Sequence, residues 1–316
     1  MRGNMIISIN PWYYCNFKCD FCYLTKEQLD DKTLLDLRVL EKRLDEVMSI
    51  DEIGGIDLYG GEIGLLPEDY VEELCAIVKS RGIDDINIIT NLSMVNRVIT
   101  NPDLYVSVSY DFECREQHDR VWDNMFALNN PFSILILASK DLINKDVGEM
   151  ISQLNLLSNL SSVEIKPYSI NQANCHSVSH KDFELFVQKW LDNDIQMRFE
   201  FVNENNIQAT LDGSRNAFSN DHVYITPTGQ FAVLEFDLND KEYFKTLDSI
   251  QDYKDWALNE PNKNVSDICK SCDYYGRCLT EHYRYVKDLD NGCNGYKGLI
   301  DWYKHGRLED KTRALS

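Results

Sequence analysis

The chain has no long apolar run. The best, Phe132–Ala138, falls far short of the roughly 20 residues that a membrane-spanning helix needs. A secretory signal is also missing: Met1–Asn10 holds one arginine and a short apolar stretch that stops at Asn10-Pro11, too little for a signal-peptide core. Cations are scarce, with 32 Lys+Arg against 52 Asp+Glu and a formal charge of −20. A surface that acidic repels phosphate backbones and anionic lipid, which argues against nucleic-acid and membrane-surface partners. There are no internal repeats and no low-complexity tracts. Hydrophobic residues at 43% and charged residues at 27% are ordinary globular values, not those of a disordered or fibrous chain. The expected location is the cytoplasm.

At roughly 150 residues per domain, 316 residues correspond to about two domains, or to one α/β barrel with an appendage. Short β-rich apolar runs alternate with helical patterns over the first two thirds. Strands are predicted at Met5–Ile9, Ile56–Tyr59, Ile86–Thr90, Tyr105–Ser109, Phe132–Ala138 and Val163–Tyr168. Between them, Leu34, Leu35, Leu37, Leu40, Leu44, Val47 and Met48 recur at helical spacing. Tyr70–Val78 does likewise, behind Pro67 and an acidic pair suited to a helix N-terminus. Arg115–Leu128, Val147–Leu157 and Lys181–Leu191 complete the helical set.

Six such units in series predict parallel strands. The runs are apolar throughout, as in strands buried on both faces. The expected fold is α/β, a partial (β/α)6 TIM-like barrel with its chemistry at the C-terminal ends of the strands. After about residue 200 the pattern changes. Asn203–Asn206 and Asp212–Asn220 are polar and turn-rich, and Val223–Thr226, Pro227-Thr228-Gly229 and Gln230–Phe236 read as a hairpin. A helical stretch near Leu247–Leu258, a Cys-rich segment and a short helix around Tyr296–Lys304 follow. The expected division is 1–205 for the barrel and 206–316 for a smaller Cys-rich domain.

Ten cysteines need a reason in a cytoplasmic chain, where disulfides are rare and metal or redox chemistry is the better explanation. The first group, Cys15-x3-Cys19-x2-Cys22, follows the first strand directly. Three thiolates can ligate three irons of a cubane and leave the fourth iron open, whereas a closed structural site wants four ligands. The same spacing also admits zinc, or three buried thiols. Strand two ends in Tyr59-Gly60-Gly61-Glu62. There, two glycines allow close backbone approach to a ligand, and a carboxylate can accept hydrogen bonds from an ammonium group. Strand three ends in Thr90-Asn91, and strand four runs into Ser109-Tyr110-Asp111-Phe112. Polar groups at successive strand ends are what a polar small-molecule site requires.

This constellation resembles the radical S-adenosylmethionine (radical SAM) enzymes over the first ~170 residues, down to the aromatic Phe21 just before the last cysteine. The resemblance implies a 4Fe–4S cluster on Cys15, Cys19 and Cys22 whose open iron chelates the amino and carboxylate groups of SAM. An electron from the cluster then cleaves the sulfonium, giving a 5′-deoxyadenosyl radical that abstracts a substrate hydrogen. Gly60, Gly61 and Glu62 match the motif that meets the SAM amino group. Thr90 and Asn91 match a Thr-Asn-Gly signature near the carboxylate or ribose, with Leu92 in place of its glycine. Ser109 and Asp111 match a Ser-Leu-Asp-Gly signature near the ribose, with Phe112 in place of its glycine.

The second group, Cys269-x2-Cys272-x5-Cys278 followed by Cys293, offers four ligands. Alone it fits a structural zinc ribbon as well as a cluster. After a radical SAM barrel it resembles the SPASM/twitch extension, which carries auxiliary 4Fe–4S clusters. His282 and Leu234 stand where the full pattern has cysteines, so the resemblance implies one fully ligated auxiliary cluster, as an electron relay or a structural support.

Among the single cysteines, Cys75 lies on a helix and reads as core. Cys114 and Cys175 lie near the predicted active face, where a thiol could return a hydrogen atom to a substrate radical; each also reads as an inert thiol. His118 is a candidate proton acceptor or a helix-surface residue, and Lys166 and Tyr168 are candidate substrate or SAM contacts. Tyr274, Tyr275, Tyr283 and Tyr285 would shield the auxiliary cluster or simply pack. The resemblance implies a peptide substrate, modified by cross-linking, dehydrogenation or epimerisation. A small molecule such as an aminosugar or nucleoside, undergoing dehydrogenation, is the alternative. It further implies a low-potential flavodoxin- or ferredoxin-type electron donor. With the first strand at Met5, no N-terminal leader-binding domain is expected, and a separate peptide-binding partner could supply that role. The contrasting reading is a zinc-stabilised scaffold without catalysis.

Overall fold

In the computed structural model, which describes residues 5–167, 178–214, 222–234, 244–263, 267–278, 293 and 296–308, ten strands form one sheet in the order β10-β9-β8-β1-β2-β3-β4-β5-β6-β7. The strands are β1 Met5–Ile9, β2 Ile53–Leu58, β3 Ile86–Thr90, β4 Tyr105–Ser109, β5 Phe132–Ala138, β6 Leu160–Pro167, β7 Glu200–Phe201, β8 His222–Ile225, β9 Phe231–Leu234 and β10 Phe244–Leu247. From β1 to β7 every neighbouring pair is parallel. The fold is α/β with a mostly parallel sheet, and the strand ends that carry the motifs share one edge.

The intervening helices are α1 Lys26–Asp30, α2 Leu37–Met48, α3 Glu68–Lys79, α4 His118–Phe126, α5 Val147–Leu154, α6 His180–Leu191 and α7 Val202–Leu211. Later in the chain come α8 Ile250–Lys263, α9 Asp267–Lys270 and α10 Lys297–Trp302. Capping follows the sequence: Asp36 accepts from the Arg38 N–H at the start of α2, and Ser179 from Asp182 at the start of α6.

Burial departs from expectation in one way that matters for function. The strands are not buried equally on both faces. Along β5, Phe132, Ile134, Ile136 and Ala138 are buried, whereas Ser133, Leu135 and Leu137 are half-buried. The less buried face carries a polar ladder across four strands. Asn87 Nδ2 donates to Asp57 at 2.9 Å, Ser107 Oγ donates to Asn87 at 3.0 Å, and Ser107 meets Ser133 at 2.7 Å. On the same face Glu164 and Lys166 pair at 2.8 Å, in register with Leu135 and Leu137. This open face is the interior of an incomplete barrel, over which no further strand closes among the described residues.

The hairpin after residue 220 does not stand apart from the barrel sheet. β8 pairs in parallel with β1, Ile7 opposite Val223 and Ile9 opposite Ile225, and β9 and β10 extend that edge antiparallel. Two local expectations are corrected. Asn203–Asn206 lies inside α7 and is not a turn. Asn203 donates to the Ile165 carbonyl and accepts from the Ile165 N–H, both at 2.8 Å. Its carboxamide thereby continues the β6–β7 ladder by one side-chain pair while the backbone turns helical, and buried Ile207 anchors the helix. Leu247 ends β10, and the helix begins only at Ile250.

Candidate active site

The loop from Pro11 to Leu24 lies across the strand ends, and each neighbouring element fixes one part of it. The N–H groups of Gly61 and Glu62 donate to the carbonyls of Trp12 and Tyr14 at 3.1 and 2.8 Å. The Cys15 N–H reaches the Leu29 carbonyl at the end of α1 at 3.1 Å. Asn16 accepts from Asn91 and Ser93 after β3 at 3.2 and 3.3 Å, and the Lys18 N–H donates to Glu116 at 3.1 Å. Cys15, Cys19 and Cys22 are therefore held by β1, β2, β3 and the start of α4 together.

The glycines bring backbone to backbone here. A Cβ on Gly60 would lie 2.6 Å from the Trp12 carbonyl oxygen; one on Gly61 would collide with the Tyr14 carbonyl and lie 2.6 Å from that of Tyr13. Neither neighbour is a flexible side-chain tip, so the loop itself must shift. Gly61→Ala is expected to lose most of the iron bound by the first cysteine group, at a stability cost of about 1–3 kcal/mol for overpacking. Iron content per chain after anaerobic reconstitution checks this.

Glu62 is buried, 1% exposed, and its carboxylate ties two strand ends. It accepts from the Thr90 hydroxyl at 2.5 Å, the Asn91 N–H at 2.6 Å and the Gly64 N–H at 2.8 Å. Burial pushes its carboxyl above the usual range, against the pull of those donors and of Arg115. Thr90 also receives the Leu92 N–H at 2.9 Å. Asp111 is fully buried: Oδ1 takes the Leu137 N–H at 2.6 Å, and Oδ2 takes Nε and Nη2 of Arg115 at 2.8 and 2.6 Å. Ser109 ends β4, half-buried. Arg115, which the motifs do not mark, lies with its guanidinium 5.2 Å from the Phe21 ring centre and 3.9 Å from Cys19 Sγ. The signal for it was its i,i+4 spacing from Asp111.

The sulfurs are met by hydrogen-bond donors. Cys15 Sγ accepts from the Phe17 N–H at 3.4 Å and Asn91 Nδ2 at 3.5 Å, and Cys22 Sγ from the Leu24 N–H at 3.4 Å. Burial, together with the charges of Glu62 and the other two thiols, pushes the Cys15 thiol up to about 12. Burial likewise lifts Cys19 to about 11 against the pull of Arg115, and raises Cys22. Among the described residues, no three His, Cys, Asp or Glu side chains form a single-ion site. A cubane does not require one, because each thiolate binds its own iron. Three spaced thiols ringed by N–H donors fit such a group.

The two positions where the resemblance lacks its glycines keep a left-handed backbone: Leu92 has φ 51° and Phe112 φ 53°. Both side chains are buried, at 0% and 1% exposure. An L-residue there carries about 1–2 kcal/mol of strain. Elsewhere Gly is less stable than Ala by roughly 0.5–1 kcal/mol. At position 112 the order is expected to invert, Phe112→Gly exceeding Phe112→Ala by about 1 kcal/mol, which denaturant unfolding of the pair will show.

Cys114 lies half-buried after β4, hydrogen-bonded to Ser139 beyond β5, with its thiol raised by burial. His118 opens α4 and contacts Asp119 at 3.2 Å, and Cys75 is buried on α3. In the second group Cys269 and Cys278 are buried, Cys272 half-buried and Cys293 exposed. Burial, with the other three thiols, raises Cys269 to about 11. Tyr274 ties this segment to α10 through Asp301 at 2.7 Å, and Tyr275 is exposed. Tyr168, Cys175, His282, Tyr283 and Tyr285 lie outside the described residues. No helix among the described residues is long and apolar enough to cross a membrane.

The model of the Radical SAM superfamily matches residues 9–108, the span from the end of β1 to β4. No curated protein matches the chain. Among solved structures, anSMEcpe with bound AdoMet and Cp18Cys peptide is 16% identical at a TM-score of 0.65, over 99% of this chain and 99% of that one. Streptococcus suis SuiB bound to S-adenosylmethionine is 13% identical at a TM-score of 0.64, over 90% of this chain and 74% of that one. SuiB bound to precursor peptide SuiA is 14% identical at 0.64, over 90% and 73%. At these identities the likeness is one of fold, a TIM-like partial barrel. With the family match covering the β1 loop and the β2 and β3 ends that build the site, the chain carries a radical SAM domain.

Proposed function

We propose that the protein is a radical SAM enzyme that removes a hydrogen atom from a peptide. The observation that carries this is the convergence of Cys15, Cys19 and Cys22 with the ends of β2, β3 and β4. Cys15, Cys19 and Cys22 would hold a 4Fe–4S cluster, and Cys269, Cys272, Cys278 and Cys293 an auxiliary one. When bound, the first cluster supplies a low-potential electron that turns SAM into a hydrogen-abstracting carbon radical. Gly60, Gly61 and Glu62 set the cysteine loop on the strand ends, and Thr90 and Asn91 lock it from β3. Ser109 and Asn91, at the ends of β4 and β3, would contact SAM.

The peptide would lie along the open face. Leu135 and Leu137 offer apolar contact there, and the Glu164–Lys166 pair a polar one. Cys114, which follows β4, would be the thiol that returns a hydrogen atom. Support for a peptide is the fold shared with SuiB and anSMEcpe, both described with bound peptides. The electron would come from a flavodoxin- or ferredoxin-type donor, and a separate protein could present the peptide.

The test is anaerobic incubation with SAM, dithionite and synthetic peptides in D2O, read by mass spectrometry. Loss of two hydrogens indicates cross-linking or dehydrogenation. Deuterium gain without other change indicates epimerisation. Unchanged peptides beside an aminosugar or nucleoside that loses two hydrogens would overturn the peptide assignment.

A further inference from the structure

Arg115 occupies an unusual position. Its guanidinium is a fork, and Asp111 takes two tines: Nε at 2.8 Å and Nη2 at 2.6 Å, both on Oδ2. The third nitrogen, Nη1, points the other way and lies 3.9 Å from Cys19 Sγ. The side chain is 12% exposed and that of Asp111 1%, so water screens this pair poorly. Asp111 is itself fixed to β5 by the Leu137 N–H at 2.6 Å. The pair is therefore an oriented dipole with its positive end on a cysteine sulfur. The ring of Phe21, 5.2 Å away, covers the guanidinium from the cysteine loop.

The backbone is shaped to put it there. Between Asp111 and α4 the chain makes a short 3-10 turn, Phe112–Cys114, which opens on left-handed Phe112, and left-handed Gln117 leads into α4. The Arg115 N–H closes that turn on the Phe112 carbonyl at 3.1 Å, and Glu116 takes the Lys18 N–H. Strained residues persist where surrounding structure over-determines them, as at functional sites. Here two consecutive side chains, Arg115 and Glu116, clamp the cysteine loop at Lys18, Cys19 and Phe21.

We propose that Arg115 is a positioning residue that sets the reduction potential of the group on the first cysteine loop, through a hydrogen bond and a positive charge at Cys19 Sγ. This rests on the reading that Cys15, Cys19 and Cys22 hold an iron–sulfur cluster. Reduction adds one electron and makes the cluster more negative, with no bond formed or broken in the protein. Net charge and hydrogen bonds to the sulfurs are the levers on that potential. A buried cation at one ligand stabilises the reduced form and brings it within reach of a biological donor. Asn91 Nδ2, at 3.5 Å from Cys15 Sγ, adds a neutral donor to the same effect.

The test is a redox titration of the reconstituted full-length protein, following the electron paramagnetic resonance signal that responds to SAM. Arg115→Met is compared with Arg115→Lys and with the double variant Asp111→Asn/Arg115→Met, which leaves no buried carboxylate unpaired. Loss of the cation should cut the ratio of reduced to oxidised cluster about tenfold at a fixed potential, equivalent to about 59 mV for one electron. Iron content should stay unchanged in at least the double variant, and Arg115→Lys, which keeps the charge but not the fork, should give a ratio between those of the parent and Arg115→Met. A loaded methionine variant whose ratio stays within about twofold of the parent overturns the proposal. So does loss of iron from all three variants, which would make Arg115 a clamp and nothing more. A parent protein with no SAM-responsive signal removes the underlying reading instead, and that outcome is visible before any variant is made.

Discussion

Alanine at Cys19 is expected to leave the chain folded, to lower bound iron by about four atoms per chain, and to bring 5′-deoxyadenosine formation down to background. Cys19 lies half-buried in the loop after β1, where the side-chain donor at its sulfur is Arg115. The thiol packs only at the edge of the core, so the stability loss should stay near about 1 kcal/mol. The chemical loss is of another order. Disturbing a partner behind a metal ligand costs 10–100-fold, and removing the ligand itself should exceed about 10³. Cys75 is the control. It sits buried on α3, so Cys75→Ala should cost about as much stability while keeping all iron and all turnover. If both variants keep iron, or both lose it, the first cysteine loop is not the ligand set.

Glu62→Ala should produce the largest fall in stability of any single change at the site. It strands three donors, the Thr90 hydroxyl and the N–H groups of Asn91 and Gly64, in a place with 1% exposure. Each unsatisfied buried donor costs about 1–3 kcal/mol, less than additively. The expected total is about 3–5 kcal/mol, or a melting temperature lower by roughly 10 °C for a chain of this size. Glu62→Gln should recover about half, because the amide oxygen still accepts while its NH2 faces the Asn91 N–H. Thermal unfolding of the metal-free chain reads this without reference to turnover. A loss below about 1 kcal/mol would mean that Glu62 does not tie β2 to β3.

The strand ends were legible because each is a simple event in sequence. β1, β3, β4 and β5 start and stop where apolar runs meet polar residues, as at Thr90-Asn91 and Ser109. The cysteine spacing and the Gly60-Gly61-Glu62 turn were legible for the same reason. What escaped depends on contacts distant in sequence. α7 forms because Asn203 completes the β6 edge, and nothing local in the run Asn203–Asn206 announces that. The pleat alternation of β5 was hidden because Leu135 and Leu137 on the open face are as apolar as Ile134 and Ile136 beneath it. α1 did announce itself, through the Thr25–Gln28 capping box, but it is one turn long and lies beside the cysteines that draw the eye.

For the glycines and the carboxylate the structure adds a role beside the one read from sequence. Sequence suggests that Gly60 and Gly61 make room for a ligand and that Glu62 meets an ammonium group. The structure spends the glycines on the Trp12–Tyr14 backbone and three of the carboxylate's acceptor positions on β3 and Gly64. All three residues thereby shape the loop that would carry the cluster. Leu92 and Phe112 give the converse case: the side chains changed, and the left-handed backbone stayed.

The most direct measurement is of 5′-deoxyadenosine from the anaerobically reconstituted protein given SAM and dithionite alone, with no other substrate. The account predicts a brown protein with about eight irons per chain, slow release of deoxyadenosine, and none from Cys19→Ala. A colourless protein that binds zinc and leaves SAM intact would contradict it.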